Sequence, residues 1–299
     1  MSRQRESHRL LKFYQRAQAA LGKEAYERTL RRWDDMRPDT LLTSPDRWVV
    51  DWHRETDELR RKSRRLGQSY YRLERAIWLD ATVDDGTAFG QDTTLAKLWE
   101  EFNTSAGRRV SKTTQSVKPV KVDPSPWKEY DAAHSWRTTA SSFYVKGAQR
   151  MKREERKQRA GGRSVLDSID DLEATLESIG KQIAGEAQRI TEDGGREAIS
   201  EAVDHDRKAL AYMRVPNPGA CYFCLMLASR GAVYKSKHSA GDHEVRKFHP
   251  NCQCAAVPIF TRSYEYPAAV KHAVEFWKNN WNGDMRDFRK AVEQSKKRR

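Results

Sequence analysis

Trp48, Trp52, Leu59, Leu66, Tyr70, Leu73 and Ile77 follow one another at steps of four, seven, seven, four, three and four. Those steps align side chains on one face of an α-helix and on no face of a strand. The residues between them, such as RETDELRRKSRR from Arg54, are mostly charged or polar and fit an outward face. A stripe of that length must be covered by other helices, so helix-on-helix packing is the first constraint on the fold. Ser44-Pro45-Asp46 supplies the start: a capping side chain, a proline where no donor is lost, and a carboxylate at the positive end of the dipole. The ordinary place for the tryptophans and tyrosines of this stripe is a core.

Similar patterns recur. Leu10, Tyr14, Ala17 and Leu21 mark a helix that Gly22 is expected to interrupt, before a second stretch ending near Arg37-Pro38. After the turn-rich ATVDDGTAFGQD, a short helix carries Leu95, Leu98, Trp99 and Phe102. The segment from Ala106 to Pro126 has three prolines and no periodicity, and reads as a flexible or extended connector. Helix resumes around Trp127 and runs to Gly161-Gly162. Ser164 with Asp167 resembles a capping box. It opens a helix with a seam at Val165, Ile169, Leu172, Leu176, Ile179 and Ile183, suited to a short coiled coil or to an antiparallel hairpin within one subunit.

With 37% hydrophobic against 33% charged residues, the chain is suited to thin helical packing rather than one thick globule. The expected fold class is mainly α: an elongated helical bundle or set of hairpins, with a small C-terminal zinc-stapled α+β module containing a short β-hairpin. The divisions are an N-terminal helical region (1–80), a linker-rich region with one short helix (81–126) and a basic helical hairpin region (127–213). A Cys/His module (214–262) and C-terminal helices with a basic tail (263–299) follow.

The net charge of +14 favours polyanionic neighbours, either nucleic acid or an acidic protein surface. It is concentrated: Lys146 to Arg163 holds eight basic and two acidic residues, and the chain ends KKRR. The start lacks the apolar stretch of a secretory signal, and no segment has the roughly 18 apolar residues of a membrane span. A soluble chain in a reducing cytoplasm, without a membrane partner, is the expectation.

All four cysteines, Cys221, Cys224, Cys252 and Cys254, lie in two tight clusters. In a reducing compartment such clustering points to metal before disulfide. Cys221 and Cys224 have the C-x2-C spacing from which two thiolates converge on one ion. The second half comes from His249, Cys252 and Cys254, five candidates for the four places of a tetrahedral structural zinc. Cys221, Cys224 and Cys252 take three places, and His249 and Cys254 contest the fourth. Reduced cysteines packed as small apolar side chains would use the same positions. His238 and His243, in a polar loop, read as solvated.

No H-E-x-x-H, no H-x-E with P-C-x-x-C, no phosphate-binding glycine loop and no nucleophile elbow occurs, so nothing argues for turnover and the chain is not expected to be an enzyme. The alternative is a metal-dependent nuclease of the His-Cys type, with His238, Asp242, His243 or His249 as base and ligands.

RVPNPGACYFCLMLASRGAVY from Arg214, followed by FHPNCQCAAVPIF from Phe248, resembles the C-terminal signature of the Mu F-like minor head proteins of tailed bacteriophages. The ASRG-x-x-Y form is most similar to the branch found in actinobacterial phages. The resemblance covers Arg214 to Phe260 and, more weakly, the helical layout around RRKSRRLGQSYYRL. It marks Cys221, Cys224, His249, Cys252 and Cys254, with Arg230 and Gly231 as a turn before a strand at Ala232-Val233-Tyr234. That strand is expected to pair with Cys254 to Phe260. The resemblance implies a minor capsid or head morphogenesis component inside the virion capsid, made in the host cytoplasm. Its partners would be portal protein, major capsid or scaffolding protein and, without sequence preference, DNA.

Overall fold

The computed structural model describes residues 2–85, 93–109, 119–161, 165–218, 220–234 and 254–297, with backbone alone over 165–170. Its helices, in chain order, are α1 Arg3–Trp33, α2 Pro38–Thr43, α3 Asp46–Leu79, α4 Leu95–Ser105, α5 Ala132–Phe143, α6 Gln149–Ala160, α7 Val165–His205, α8 Tyr222–Ser229, α9 Ala268–Asn280 and α10 Met285–Lys297. The strands are β1 Ala81–Val83, β2 Lys121–Asp123, β3 Ala211–Val215 and β4 Ala255–Ile259. The fold is mainly helical with two small sheets, as the apolar stripes require.

Two compact units share the chain, and neither is a continuous stretch of it. One comprises Met1–Ala19, Arg64–Lys128 and Gly194–Arg299; the other comprises Ala20–Ser63 and Glu129–Asp193. Helices α1, α3 and α7 each pass from one unit into the other.

The unit built from residues 20–63 and 129–193 is organised around tryptophan. Trp33, Trp52, Leu59, Phe143, Met151, Ile179 and Ile183 form its buried cluster, with Trp48, Leu172 and Leu176 packed against them. Each indole finds an acceptor: Trp33 Nε1 donates to the Leu176 carbonyl at 3.0 Å, Trp48 to the Arg32 carbonyl at 3.3 Å and Trp52 to Thr29 Oγ1 at 3.0 Å. These bonds let large rings enter a core without an orphaned donor. Of the α7 seam, the part from Leu172 to Ile183 is thus covered within the unit by its own helices, the hairpin outcome. The Ser164–Asp167 cap and the side chains of Val165 and Ile169 lie outside the described residues.

Helix α1 runs through Gly22 without a break, contrary to the expected interruption. A Cβ at Gly22 would meet Gln188 Cγ at 3.0 Å and overlap the Glu192 carboxylate. The glycine is therefore needed for the close approach of α7, and not for a turn. Trp127 likewise does not begin a helix. Its indole donates to the Ala198 carbonyl at 2.7 Å, and α5 starts at Ala132, where the Asp131 side chain accepts the His134 N–H at 2.7 Å. A π-helical turn at Tyr144–Ala148 then joins α5 to α6.

In the other unit, Tyr14 stacks on Tyr70 with ring centres 4.2 Å apart, joining α1 to α3. Strands β1 and β2 pair in parallel, Ala81 opposite Lys121, so part of the expected connector is extended and paired. Below them lie two buried guanidinium groups. Arg75 donates from Nε to Asp206 at 2.7 Å, from Nη1 to the Thr82 carbonyl at 2.8 Å and from Nη2 to Asp123 at 2.6 Å. Arg72 holds Asp85 at 3.0 Å and Glu101 at 2.6 Å. Burial pushes the Asp123 carboxyl up, but hydrogen bonds from Lys208 and Arg75 outweigh it and hold the group down at about 2. Glu74 beside them is wholly buried. Burial raises its carboxyl to about 7, although Ser7 and Trp78 donate to Oε1, while Oε2 has no hydrogen-bond partner.

The second sheet departs from the expected hairpin. Strand β4 pairs antiparallel with β3, Met213 opposite Val257, while Tyr234 bridges to Tyr212 on the other edge of β3. Residues 232–234 therefore do not pair with the strand after Cys254; β3 lies between them. All five residues of β3 and of β4 are buried. A strand buried along its whole length needs cover on both faces, which a two-stranded hairpin standing alone would not provide.

Candidate metal centre

The cysteine module is assembled from three pieces of chain. Beyond β3, the Pro216-Asn217-Pro218 turn delivers Cys221 as the capping residue of α8, in extended conformation at φ −74° and ψ 169°. Its Sγ accepts the Cys224 N–H at 3.4 Å, so the first C-x2-C pair forms a sulfur-capped first helical turn. Cys224, one turn on, is 2% exposed. Helix α8 ends at Arg230, and Gly231 takes φ +71°, a left-handed terminator for which glycine is suited. The Arg230–Gly231 turn expected from sequence is present there. Tyr234 then donates its hydroxyl to the Leu227 carbonyl at 2.7 Å.

Cys254 arrives from the other side, immediately before β4, and is also 2% exposed. Its carbonyl accepts a 2.9 Å hydrogen bond from Nε of Arg196, a buried residue of α7. Cys221, Cys224 and Cys254 pack in one cluster with Ala220. None of the three is in a disulfide. The surroundings are basic as well as apolar: the Arg214 guanidinium lies 5.8 Å from the centre of the Tyr234 ring. Burial pushes the Tyr234 phenol up to about 12, with Arg214 and Arg230 pulling the other way.

Of the five residues marked in the sequence, the structure thus brings Cys221, Cys224 and Cys254 together. His249 and Cys252 lie outside the described residues, as do His238, Asp242 and His243 of the nuclease alternative. Among the described residues no group of three or more His, Cys, Asp or Glu side chains is disposed to hold an ion. The three thiols make a packed cluster, and a closed tetrahedral shell would need a donor from the 249–252 segment. Chemically the donor set suits zinc, because thiolates are soft ligands and two of them already share one helical turn. Arg196 was not visible in the sequence. It lies 58 residues from Cys254, and no spacing rule relates them.

Residues 55–282 match the VG15 protein family. The chain belongs to that family. VG15 proteins are viral and phage gene products, and this is a phage protein. The match takes in α3 from its third turn onward, both sheets and the whole cysteine module; residues 1–54 and 283–299 lie outside it. The match supports a phage protein and does not specify a Mu F-like minor head protein. No curated protein and no solved structure matches the chain. Among the described residues of this VG15 protein, no helix is long and apolar enough to cross a membrane.

Proposed function

We propose that this VG15 family member is a minor structural component of the phage head, without turnover. It is built in the host cytoplasm and retained inside the capsid of the virion. On this reading it docks on portal protein, or on the major capsid or scaffolding protein, beside packaged DNA, in the manner of the Mu F-like minor head proteins. The observation that carries the reading is the gathering of Cys221, Cys224 and Cys254 into one buried cluster within a phage family protein. Thiols from two segments about 30 residues apart meet where the head-protein signature marks them.

Zinc would be held by Cys221, Cys224 and Cys252, with His249 or Cys254 as the fourth ligand. It would supply a rigid cross-link between the start of α8 and the start of β4. The charge supports the second half of the reading. Helix α6 carries exposed Lys152, Arg153 and Arg156, suited to contacts with phosphate that ignore sequence.

Two measurements test it. Protein purified without added zinc is expected to carry one equivalent of zinc, lost in Cys224→Ser; a folded protein with no tightly bound metal would remove the cross-link from the proposal. Independently, the protein is expected to copurify with phage heads and with portal protein. Heads of normal composition and infectivity assembled without it would end the structural reading.

A further inference from the structure

Beside the second sheet lies a cavity of about 580 Å³, walled by Ile259, Tyr264, Tyr266, Arg262 and Lys271 among others. Among the described residues, none of those lining it is acidic. Arg262 and Lys271 are both exposed, and neither side chain forms an ion pair or hydrogen bond with a described residue. Lys271 also stands in the first turn of α9, which carries no acidic residue, so the helix adds to the positive field.

The neutral wall is fixed in place. Tyr266 accepts the Ala232 N–H on its hydroxyl at 3.2 Å, which leaves its own proton to be donated elsewhere. Gly231 makes this possible, since a Cβ there would lie 2.7 Å from the Tyr266 hydroxyl. Tyr264 is 7% exposed and holds its ring against the interior. Two cations of different geometry, one phenolic donor and an apolar wall, with no carboxylate among the described lining residues, are the recognition set for a tetrahedral dianion attached to an organic group.

We propose that this cavity binds a phosphate group, with Arg262 and Lys271 as its charge partners and Tyr266 as a neutral donor. The phosphate can belong to a free nucleotide or to a nucleic-acid backbone; the site recognises what they share. The proposal does not depend on the cysteine module or on a role in the head.

The full chain is titrated calorimetrically at fixed ionic strength with inorganic phosphate, a deoxynucleoside 5′-monophosphate and a short duplex. Saturable binding of phosphate and of the monophosphate is expected, weakened at least tenfold in Arg262→Ala/Lys271→Ala. Lys12→Ala/Arg16→Ala, which removes two exposed charges of α1 that do not line the cavity, is expected to change it less than twofold. Monophosphate binding without duplex binding assigns the site to free nucleotide, whereas duplex binding displaced by phosphate assigns it to the backbone. Absence of saturable phosphate binding, or equal loss in both double variants, overturns the proposal. Should the first variant misfold, thermal unfolding of the unaltered protein decides. A rise in Tm that saturates with phosphate but not with chloride at equal ionic strength supports the site, and no such rise refutes it.

Discussion

The tryptophan cluster around Trp33, Trp48 and Trp52 and the arginine cluster around Arg72 and Arg75 solve the same problem by opposite means. Both fasten long charged helices to their neighbours. The first does so by shape: rings stack or meet edge to face, Trp48 and Trp52 at 5.8 Å between centres, with each indole N–H capped by an acceptor. The second does so by charge: two guanidinium groups, each 1% exposed, are surrounded by carboxylates from β2, α4 and the residue after α7. Shape tolerates a change of pH. A buried charge tolerates none that removes its partner.

A matched pair of substitutions should show the largest effects. Arg75→Met takes the guanidinium away from Asp206, which keeps only the neutral donors Tyr71 and the Lys208 N–H, and from the Thr82 carbonyl, and is expected to destabilise by about 3–5 kcal/mol in urea unfolding at neutral pH. Trp52→Ala opens a cavity and is expected to cost a similar ~3–5 kcal/mol. The two should part when the titration is repeated in acid. The Asp123 carboxyl is held down at about 2, so its contribution is present above its unfolded value and lost as pH falls through about 2. The Trp52→Ala defect should stay constant over that range while the Arg75→Met defect shrinks. Equal pH dependence of both would erase the distinction.

Glu74 sharpens the comparison at the other end of the pH scale. Its folded value of about 7 lies above the ordinary 4.5, so the folded state holds the extra proton. The stability it contributes is full below pH 4.5 and lost as pH rises through 7. Glu74→Gln should flatten that decline, a gain of roughly 3 kcal/mol at pH 8 relative to pH 4. A decline left intact in the variant would place its origin elsewhere.

Smaller effects follow from close approach and from the surface. A Cβ on Gly67 would lie 2.6 Å from the Gly195 carbonyl oxygen, backbone that has no rotamer to yield. Gly67→Ala is therefore expected to cost about 1–3 kcal/mol by differential calorimetry. Lys62→Ala breaks only the exposed Lys62–Glu58 pair at 2.5 Å and should change stability by less than about 0.5 kcal/mol.

The tryptophan cluster was legible in the sequence and the arginine cluster was not. Trp48, Trp52 and Leu59 sit at helical spacings, and a period can be read without knowing what covers it. Arg75 finds its partners 48 and 131 residues away, and a charged residue on a charged helix gives no sign that it faces inward. The cysteine module falls between these cases. Spacing named five candidates and favoured Cys221, Cys224 and Cys252; the structure gathers Cys221, Cys224 and Cys254, Cys252 lies outside the described residues, and the strand order differs from the expected hairpin. β3 reads as an ordinary apolar approach to the C-x2-C turn, and nothing local says that it pairs with residues some forty positions later. Gly22 looked like a helix breaker because its cause, the side chains of Gln188 and Glu192, lies in a distant part of the chain.

The interrupted composition of the two units sets an order of events at the ribosome. The tryptophan-centred unit needs nothing beyond Asp193, so it can close while the remainder is still being translated. The other unit has its first nineteen residues made at the outset and must wait for Gly194 onward before they find their neighbours. Truncation from the C-terminus should therefore leave one unit able to fold and strand the opening helix of the other, whereas no single cut can release either unit whole.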